Sequence, residues 1–379
     1  MFAKTLKGAL CSLWGVFLLL GAGNSYADYA VNLVKGVTDI SHKVYDLHML
    51  IFWICVVACV LVFAVLIYSI FTHRKSKGAV AATFDDNITI EILWTIIPMF
   101  ILVAMAVPAT KVLLEMEDPS KSDMSIKVTG YQWKWHYDYL DEYISFFSNI
   151  TTPEAASLAT NASVPKDENY LMEVDNRVVI PVNKKVRFLF TSNDVIHAWW
   201  IPAFGLKKDA LPGFINEGWT KVAEPGVFRG KCAELCGVNH GFMPIVVEVK
   251  SEADYAAWVS EQKAAKSAVA TSATKTWTMA ELMKHGEKVY TTNCVACHQI
   301  SGEGIPAAGF PALKGGAIAN GDVAKHIEVV VDGVPGTAMQ AFGGQLNDAD
   351  LAALVTYERN AWGNSTGDMV QPSDIKAAR

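Results

Sequence analysis

Hydrophobic positions fall into three regimes along the chain. Near the N-terminus they form unbroken runs. Met49 to Ile70 carries no charge, and a run of that length spans about 33 Å at helical rise, enough for a hydrocarbon core of roughly 30 Å. A second uncharged run, from about Ile92 to Thr110, is interrupted by Pro98 and Pro108, which membrane helices tolerate better than soluble ones. These predict spans at about 47–71 and 90–112. Ahead of them, "MFAKTLKGALCSLWGVFLLLGAGNSYADY" sets Lys4 and Lys7 before an apolar stretch that ends in the small residues Ser25 and Ala27. That is the pattern of a secretory signal cleaved after Ala27. Cys11 would leave with it, since little apolar sequence precedes it and Leu10 stands where a lipoprotein signal needs a small residue.

In the middle of the chain the pattern changes to short β-rich segments separated by Pro, Gly and Asn: "SIKVTGYQWKWHYDY", "RVVIPVNKKVRFLFTS", "WTKVAEPGVFRGKC" and "MPIVVEVK". They predict an antiparallel sandwich or barrel. In the first, Tyr131, Trp133, Trp135, Tyr137 and Tyr139 alternate with polar residues, so a single strand would put all five aromatics on one face. Toward the C-terminus "MAELMKHGEKVYTTN" and "NDADLAALVTYERNAW" read as helices. The stretch "EQKAAKSAVATSATK" before them, poor in large apolar residues, reads as a flexible or partly helical tether. The predicted organisation is therefore a signal at 1–27, an N-terminal segment and two-helix hairpin at 28–114, a β domain at 115–256, a linker at 257–276, a helical domain at 277–363 and a tail at 364–379.

Composition agrees with a membrane component, since 51% of the 379 residues are hydrophobic. The net charge of −6 comes without a basic tract, which excludes nucleic acid as a partner. Arg74, Lys75 and Lys77 lie between the two spans, and the positive-inside rule puts that loop in the cytoplasm. Both termini then lie outside, in the periplasm of a Gram-negative cell or its equivalent. Of the seven cysteines, Cys55 and Cys59 fall in the first span, which leaves Cys232, Cys236, Cys294 and Cys297 in the exported part. In an oxidising compartment, either close pair could simply form a disulfide.

For "CVACH" at 294–298 the stronger reading is covalent c-type haem. Both thiols add to the vinyl groups, and His298 binds the iron. A thioether sixth ligand raises the potential. Met339 in "GVPGTAMQAF" suits that role, with Met369 and His326 as rivals. Residues 277–363, including "FPALKG", resemble a class I cytochrome c domain.

"CAELCGVNHGFM", at 232–243, concentrates Cys232, Cys236, His240 and Met243. Thiolate with imidazole suits zinc or copper, and the thioether turns the choice toward copper. A second histidine is wanted from another strand, and His197 in "SNDVIHAWWIPAFGLKKDALPG" can supply it. Two thiolates bridging two coppers, with one histidine on each metal, uses every ligand present. Shared thiolates would spread charge over both ions and keep reorganisation small in one-electron transfer.

Together with "IEILWTIIP" and "GYQWKW", these motifs resemble subunit II of a haem–copper cytochrome c oxidase. With the fused cytochrome domain, the resemblance is to the caa type over nearly the whole mature chain. It implies a transmembrane hairpin, then an all-β cupredoxin-like sandwich, then an all-α cytochrome c domain. It implies that His197, Cys232, Cys236, His240 and Met243 hold the dinuclear CuA centre with the backbone carbonyl of Glu234, whose side chain would reach magnesium shared with subunit I. It further implies Trp133 as the electron gateway, and Glu91 at the mouth of a proton pathway into subunit I. An acidic residue near the hydrocarbon boundary is costly enough to suggest a function by itself. The implied partners are subunits I and III and a periplasmic cytochrome c or similar donor, in a bacterial inner membrane. The activity implied is that of a proton-translocating cytochrome c oxidase, with this chain as its electron-accepting subunit. Ala233, Lys134 and Phe214 depart from common family residues, the latter two at positions that bear on surfaces rather than on metal binding. Other classes remain: a copper chaperone, which would lack Met243 and carry its histidine far downstream, a freestanding electron carrier, or the small subunit of a nitric oxide reductase.

Overall fold

The computed structural model describes residues 32–83, 85–152, 168–272 and 275–379. The expected signal at 1–27, with Cys11, lies outside the described residues. Two long helices come first. Helix α1 (Asp39–Thr72) opens on a capping box, in which the Thr38 hydroxyl accepts from the Ser41 amide and the Ser41 hydroxyl takes the Thr38 amide. Helix α2 (Ile88–Met116) is capped by Asn87, which accepts from the amides of Thr89 and Ile90, and it continues through Pro98 and Pro108. Both helices are long and apolar enough to cross a bilayer. Most of their Leu, Val, Ile and Phe side chains are exposed, as a lipid solvent requires.

The ends of this hairpin are fastened to the next domain. Thr38 Oγ1 donates to the Phe204 carbonyl and the Val37 amide to that of Ala203, both at 2.9 Å. From the end of α2, the Glu115 carbonyl accepts from Trp219 Nε1 at 3.2 Å, and Glu117 pairs with Lys208 at 2.5 Å. The start of α1 and the end of α2 therefore face the β domain. The basic loop between the helices lies at the far end.

That domain is a sandwich of two five-stranded sheets. One has the order β3 (Ile144–Ser148), β2 (Lys134–Tyr139), β1 (Met124–Tyr131), β5 (Val186–Ser192), β8 (Asn216–Thr220). The other runs β4 (Val178–Pro181), β10 (Pro244–Lys250), β9 (Gly226–Cys232), β6 (His197–Ile201), β7 (Leu206–Ala210). Inward residues of both sheets meet in one core that includes Trp135, Tyr137, Phe188, Phe190 and Trp199.

The aromatic stripe needs correction. It does not run along one strand, because the chain reverses between Tyr131 and Lys134, which pair across the β1–β2 hairpin. Trp135, Tyr137 and Tyr139 form the buried face of β2, whereas Trp133 sits in the two-residue turn and is only partly buried. A period-two pattern cannot distinguish one long strand from a hairpin whose turn preserves the alternation.

Helix α3 (Glu252–Ser272) leaves β10 and crosses the expected start of the linker. Tyr255, Trp258 and Val259 pack on the sandwich core, so the first part of the tether belongs to the β domain. The C-terminal domain comprises α4 (Met279–Asn293), the single turn α5 (Val295–His298), α6 (Ala317–Asn320), α7 (Val323–Asp332), α8 (Asp348–Asn360) and α9 (Pro372–Ala378). Val370 and Ile375 are buried in this helical core. The last residues therefore complete the domain instead of trailing from it.

Candidate metal centre and haem site

Sheet order explains why distant ligands meet. Strand β9 lies between β6 and β10, and Trp199 pairs with Cys232 while Lys231 pairs with Pro244. The start of β6, the end of β9 and the start of β10 therefore converge at one end of the sandwich. His197 opens β6 and is wholly buried. Its ring approaches the β1 backbone so closely that a Cβ on Gly130 would stand 2.7 Å from it, so only glycine fits there. Cys232 ends β9, Cys236 lies in the following loop, His240 begins a single helical turn, and Met243 precedes β10.

The sulfurs cluster tightly. Cys232 Sγ and Cys236 Sγ are 3.8 Å apart, and the residues are free cysteines. Cys236 Sγ is 3.5 Å from both His240 Nδ1 and Met243 Sδ. Cys232 Sγ is 4.0 Å from His197 Nδ1 and 3.4 Å from the Glu234 carbonyl. Cys232, Cys236 and Met243 are all at most 3% exposed. These soft donors, gathered around two neighbouring thiols, fit a copper pair better than a structural zinc site.

Electrostatics favour a cationic guest. A hydrogen bond from Cys236 holds the Cys232 thiol well below the usual thiol range, and the same contact pushes Cys236 up. Two thiolates in one buried space repel each other, and metal cations remove that penalty. Burial opposes protonation of His197, but its bonds to Asp194 and Cys232 outweigh this and raise its pKa. His197 Nε2 meets Asp194 Oδ1 at 2.8 Å, which leaves Nδ1 facing the sulfur. A carboxylate that fixes the far nitrogen is the usual support of a metal-binding histidine. Sequence reading missed Asp194, although a carboxylate three residues before the histidine was visible.

Gln132 Nε2 and Trp133 Nε1 both donate to the Cys236 carbonyl, at 2.8 and 3.1 Å. Gly237, at φ +119°, permits this approach, since a Cβ there would meet the Trp133 ring at 2.9 Å. Trp133 also lines a crevice shared with Thr291, Thr292 and Ala296 of the helical domain. Trp133 thus lies between the cysteine loop and the CVACH segment. Lys134, expected to bear on a surface, is 6% exposed because the helical domain covers it, and burial lowers its ammonium to about 8.

In the helical domain, Cys294 caps α4 and Cys297 and His298 lie in α5. His298 Nδ1 bonds the Pro311 carbonyl at 2.9 Å. This orients the ring, leaves Nε2 as the nitrogen a metal could take, and gives "FPALKG" its physical role. His326 is buried and meets Glu358 Oε2 at 2.8 Å through Nε2. Met369 is 46% exposed, whereas Met339 packs against the cluster that contains Cys294, Val295 and Phe342. These surroundings favour Met339 as the thioether donor. Replacing it with leucine should lower the haem potential and leave the haem attached. An unchanged potential in a redox titration would reject Met339.

Glu91 lies in the first turn of α2, where a carboxylate favours the helix dipole. It belongs to neither cluster.

A membrane hairpin that carries a β-sandwich with a soft-metal cluster, followed by a haem-attachment domain, defines a two-centre electron-transfer subunit. Comparison with known proteins narrows the class. The family model "Cytochrome C oxidase subunit II, periplasmic domain" matches residues 124–250, and "Cytochrome C oxidase subunit II, transmembrane domain" matches 27–112. Residues 281–357 match "Cytochrome C oxidase, cbb3-type, subunit III". The chain is 41% identical to a probable cytochrome c oxidase subunit 2 of Rickettsia bellii over 225 residues, 59% of this chain and 81% of the relative. It is 39% identical to cytochrome c oxidase subunit 2 of Cereibacter sphaeroides, covering 56% of this chain and 74% of that one. The solved periplasmic domain of cytochrome oxidase subunit II from Bradyrhizobium japonicum shares 42% identity over 38% of this chain and 97% of that chain, with a TM-score of 0.34. The chain belongs to the cytochrome c oxidase subunit II family and carries a C-terminal cytochrome c domain. It is a membrane protein, a subunit of the oxidase complex, with its copper-ligand domain on the periplasmic side.

Proposed function

We propose that this chain is the electron-accepting subunit of a proton-translocating cytochrome c oxidase in a bacterial inner membrane, with both termini in the periplasm. Electrons from a periplasmic cytochrome or similar donor would pass through the covalent haem to dinuclear copper, and on to the haem and oxygen site of subunit I. When bound, both groups supply one-electron redox chemistry. The protein residues hold and connect them. Cys294 and Cys297 would fix the haem, with His298 and Met339 as the residues to hold its iron. His197, Cys232, Cys236, His240, Met243 and the Glu234 carbonyl would hold the copper. The exposed Glu234 side chain is free to reach magnesium at the subunit I boundary.

The observation that carries this reading is the placement of Trp133. Its indole bonds the carbonyl of a copper-ligand cysteine, and its crevice is walled by Ala296 of the haem motif. Metal and intact-mass analysis of the purified complex should give two coppers and one covalent haem on this chain. A Cys232–Cys236 disulfide in the active, copper-loaded complex would reject the assignment.

Glu91 offers a separate test of the proton route. Glu91→Gln should slow proton-coupled reduction of the oxygen site and leave reduction of CuA unchanged. Equal turnover in stopped-flow assays of both proteins would leave Glu91 only its helix-terminal role.

A further inference from the structure

We infer that Lys134 is a positioning residue, which pins the cytochrome domain over Trp133 so that transfer to the copper site takes place within one docked body. The inference rests on the electron path proposed above and identifies what holds its two halves together.

Lys134 follows Trp133 directly and opens β2, yet it is almost wholly buried. Long charged side chains are seldom buried unless paired. Here the ammonium lies 4.6 Å from the centroid of Phe147, in its own sheet, and 5.1 Å from that of Phe342, in the cytochrome domain. One cation is therefore bracketed by an aromatic ring from each domain, in the range where ring faces attract it. Its Nζ also reaches Asn293 Oδ1 at 3.4 Å, and Asn293 immediately precedes Cys294. Beside it, Gln340, the neighbour of Met339, donates Nε2 to the Gln132 carbonyl at 2.6 Å.

The two cytochrome segments that close on this turn, around 293 and around 340, are those that carry the proposed haem attachment and iron ligand. The β1–β2 turn thus faces two ways. Gln132 and Trp133 reach inward to the Cys236 carbonyl, while Lys134 and the Gln132 carbonyl reach outward to the cytochrome domain. Any shift of the docked domain must break the contacts that flank Trp133. A covalent connection raises the effective concentration of the domain but carries no orientation of its own.

Two measurements on the complete oxidase test this. Under limiting amine acylation read by peptide mass spectrometry, Lys134 should react roughly tenfold or more slowly than the exposed Lys325, because reaction requires the domain to lift. Gln340→Ala should raise Lys134 labelling. In flash reduction, Lys134→Met should slow haem-to-copper transfer several-fold and make it sensitive to ionic strength. Lys134→Arg, which keeps a cation between the rings, should restore the parental behaviour. Copper and haem spectra should match the parent in both variants. Labelling of Lys134 as fast as Lys325, or parental transfer in Lys134→Met, would overturn the proposal. If the parent itself shows no haem-to-copper transfer, the electron path fails, and acylation still decides whether Lys134 docks the domain.

Discussion

Trp133→Gln should retain two coppers, one haem and a native fold, yet slow haem-to-copper electron transfer by orders of magnitude. Three features combine to give this expectation. The indole donates to the Cys236 carbonyl, its ring lies against Gly237, and its crevice is bordered by Thr291, Thr292 and Ala296. Glutamine can keep a polar contact but offers no conjugated ring across the gap. The stability cost should fall below the 3–5 kcal/mol typical of a deeply buried aromatic, because Trp133 is only partly buried and occupies a turn. Trp135, wholly buried two residues on, would bear that cost instead. Normal transfer in a stable Trp133→Gln protein would remove this residue from the path.

Cys236→Ala should abolish the dinuclear centre and, with it, turnover with a soluble donor. Cys236 Sγ touches the other thiol, His240 and Met243 within 3.8 Å, so its removal unlinks His240 and Met243 from Cys232 and His197. The cytochrome domain has its own core and should still take up covalent haem and accept electrons. Metal analysis together with donor-linked haem reduction would check both halves of this expectation. Two coppers retained in Cys236→Ala would contradict the bridging-thiolate assignment. Changing His197 should weaken copper binding through a different route, since its ring is held by Asp194 on one side and faces Cys232 on the other.

The parts of this architecture that sequence made legible are those carried by local patterns. Uncharged runs located the spans, CVACH marked the cytochrome domain, and the spacing of Cys232, Cys236, His240 and Met243 announced a soft-metal loop. His197 could be named because the site wants a second histidine from another strand, and the segment "SNDVIHAWWIPAFGLKKDALPG" supplies one. What stayed hidden depends on long-range packing. Alternation read Tyr131 to Tyr139 as one strand, since a two-residue turn leaves the period intact. Lys134 looked like a surface residue because nothing local shows that Phe342, more than two hundred residues away, lies over it. His326 was open as an iron ligand until Glu358, on another helix, was seen to hold its ring. The tail after 363 carries few apolar residues, yet Val370 and Ile375 bury in the helical core and Asp368 pairs with Arg359.

The most direct test is flash reduction of the haem in the intact complex, with haem and copper followed at their separate absorption bands. The account predicts that the haem reoxidises with one rate constant, that copper is reduced with the same constant, and that this rate does not depend on protein concentration. Copper reduced by the donor while the haem on the same chain stays reduced would contradict it.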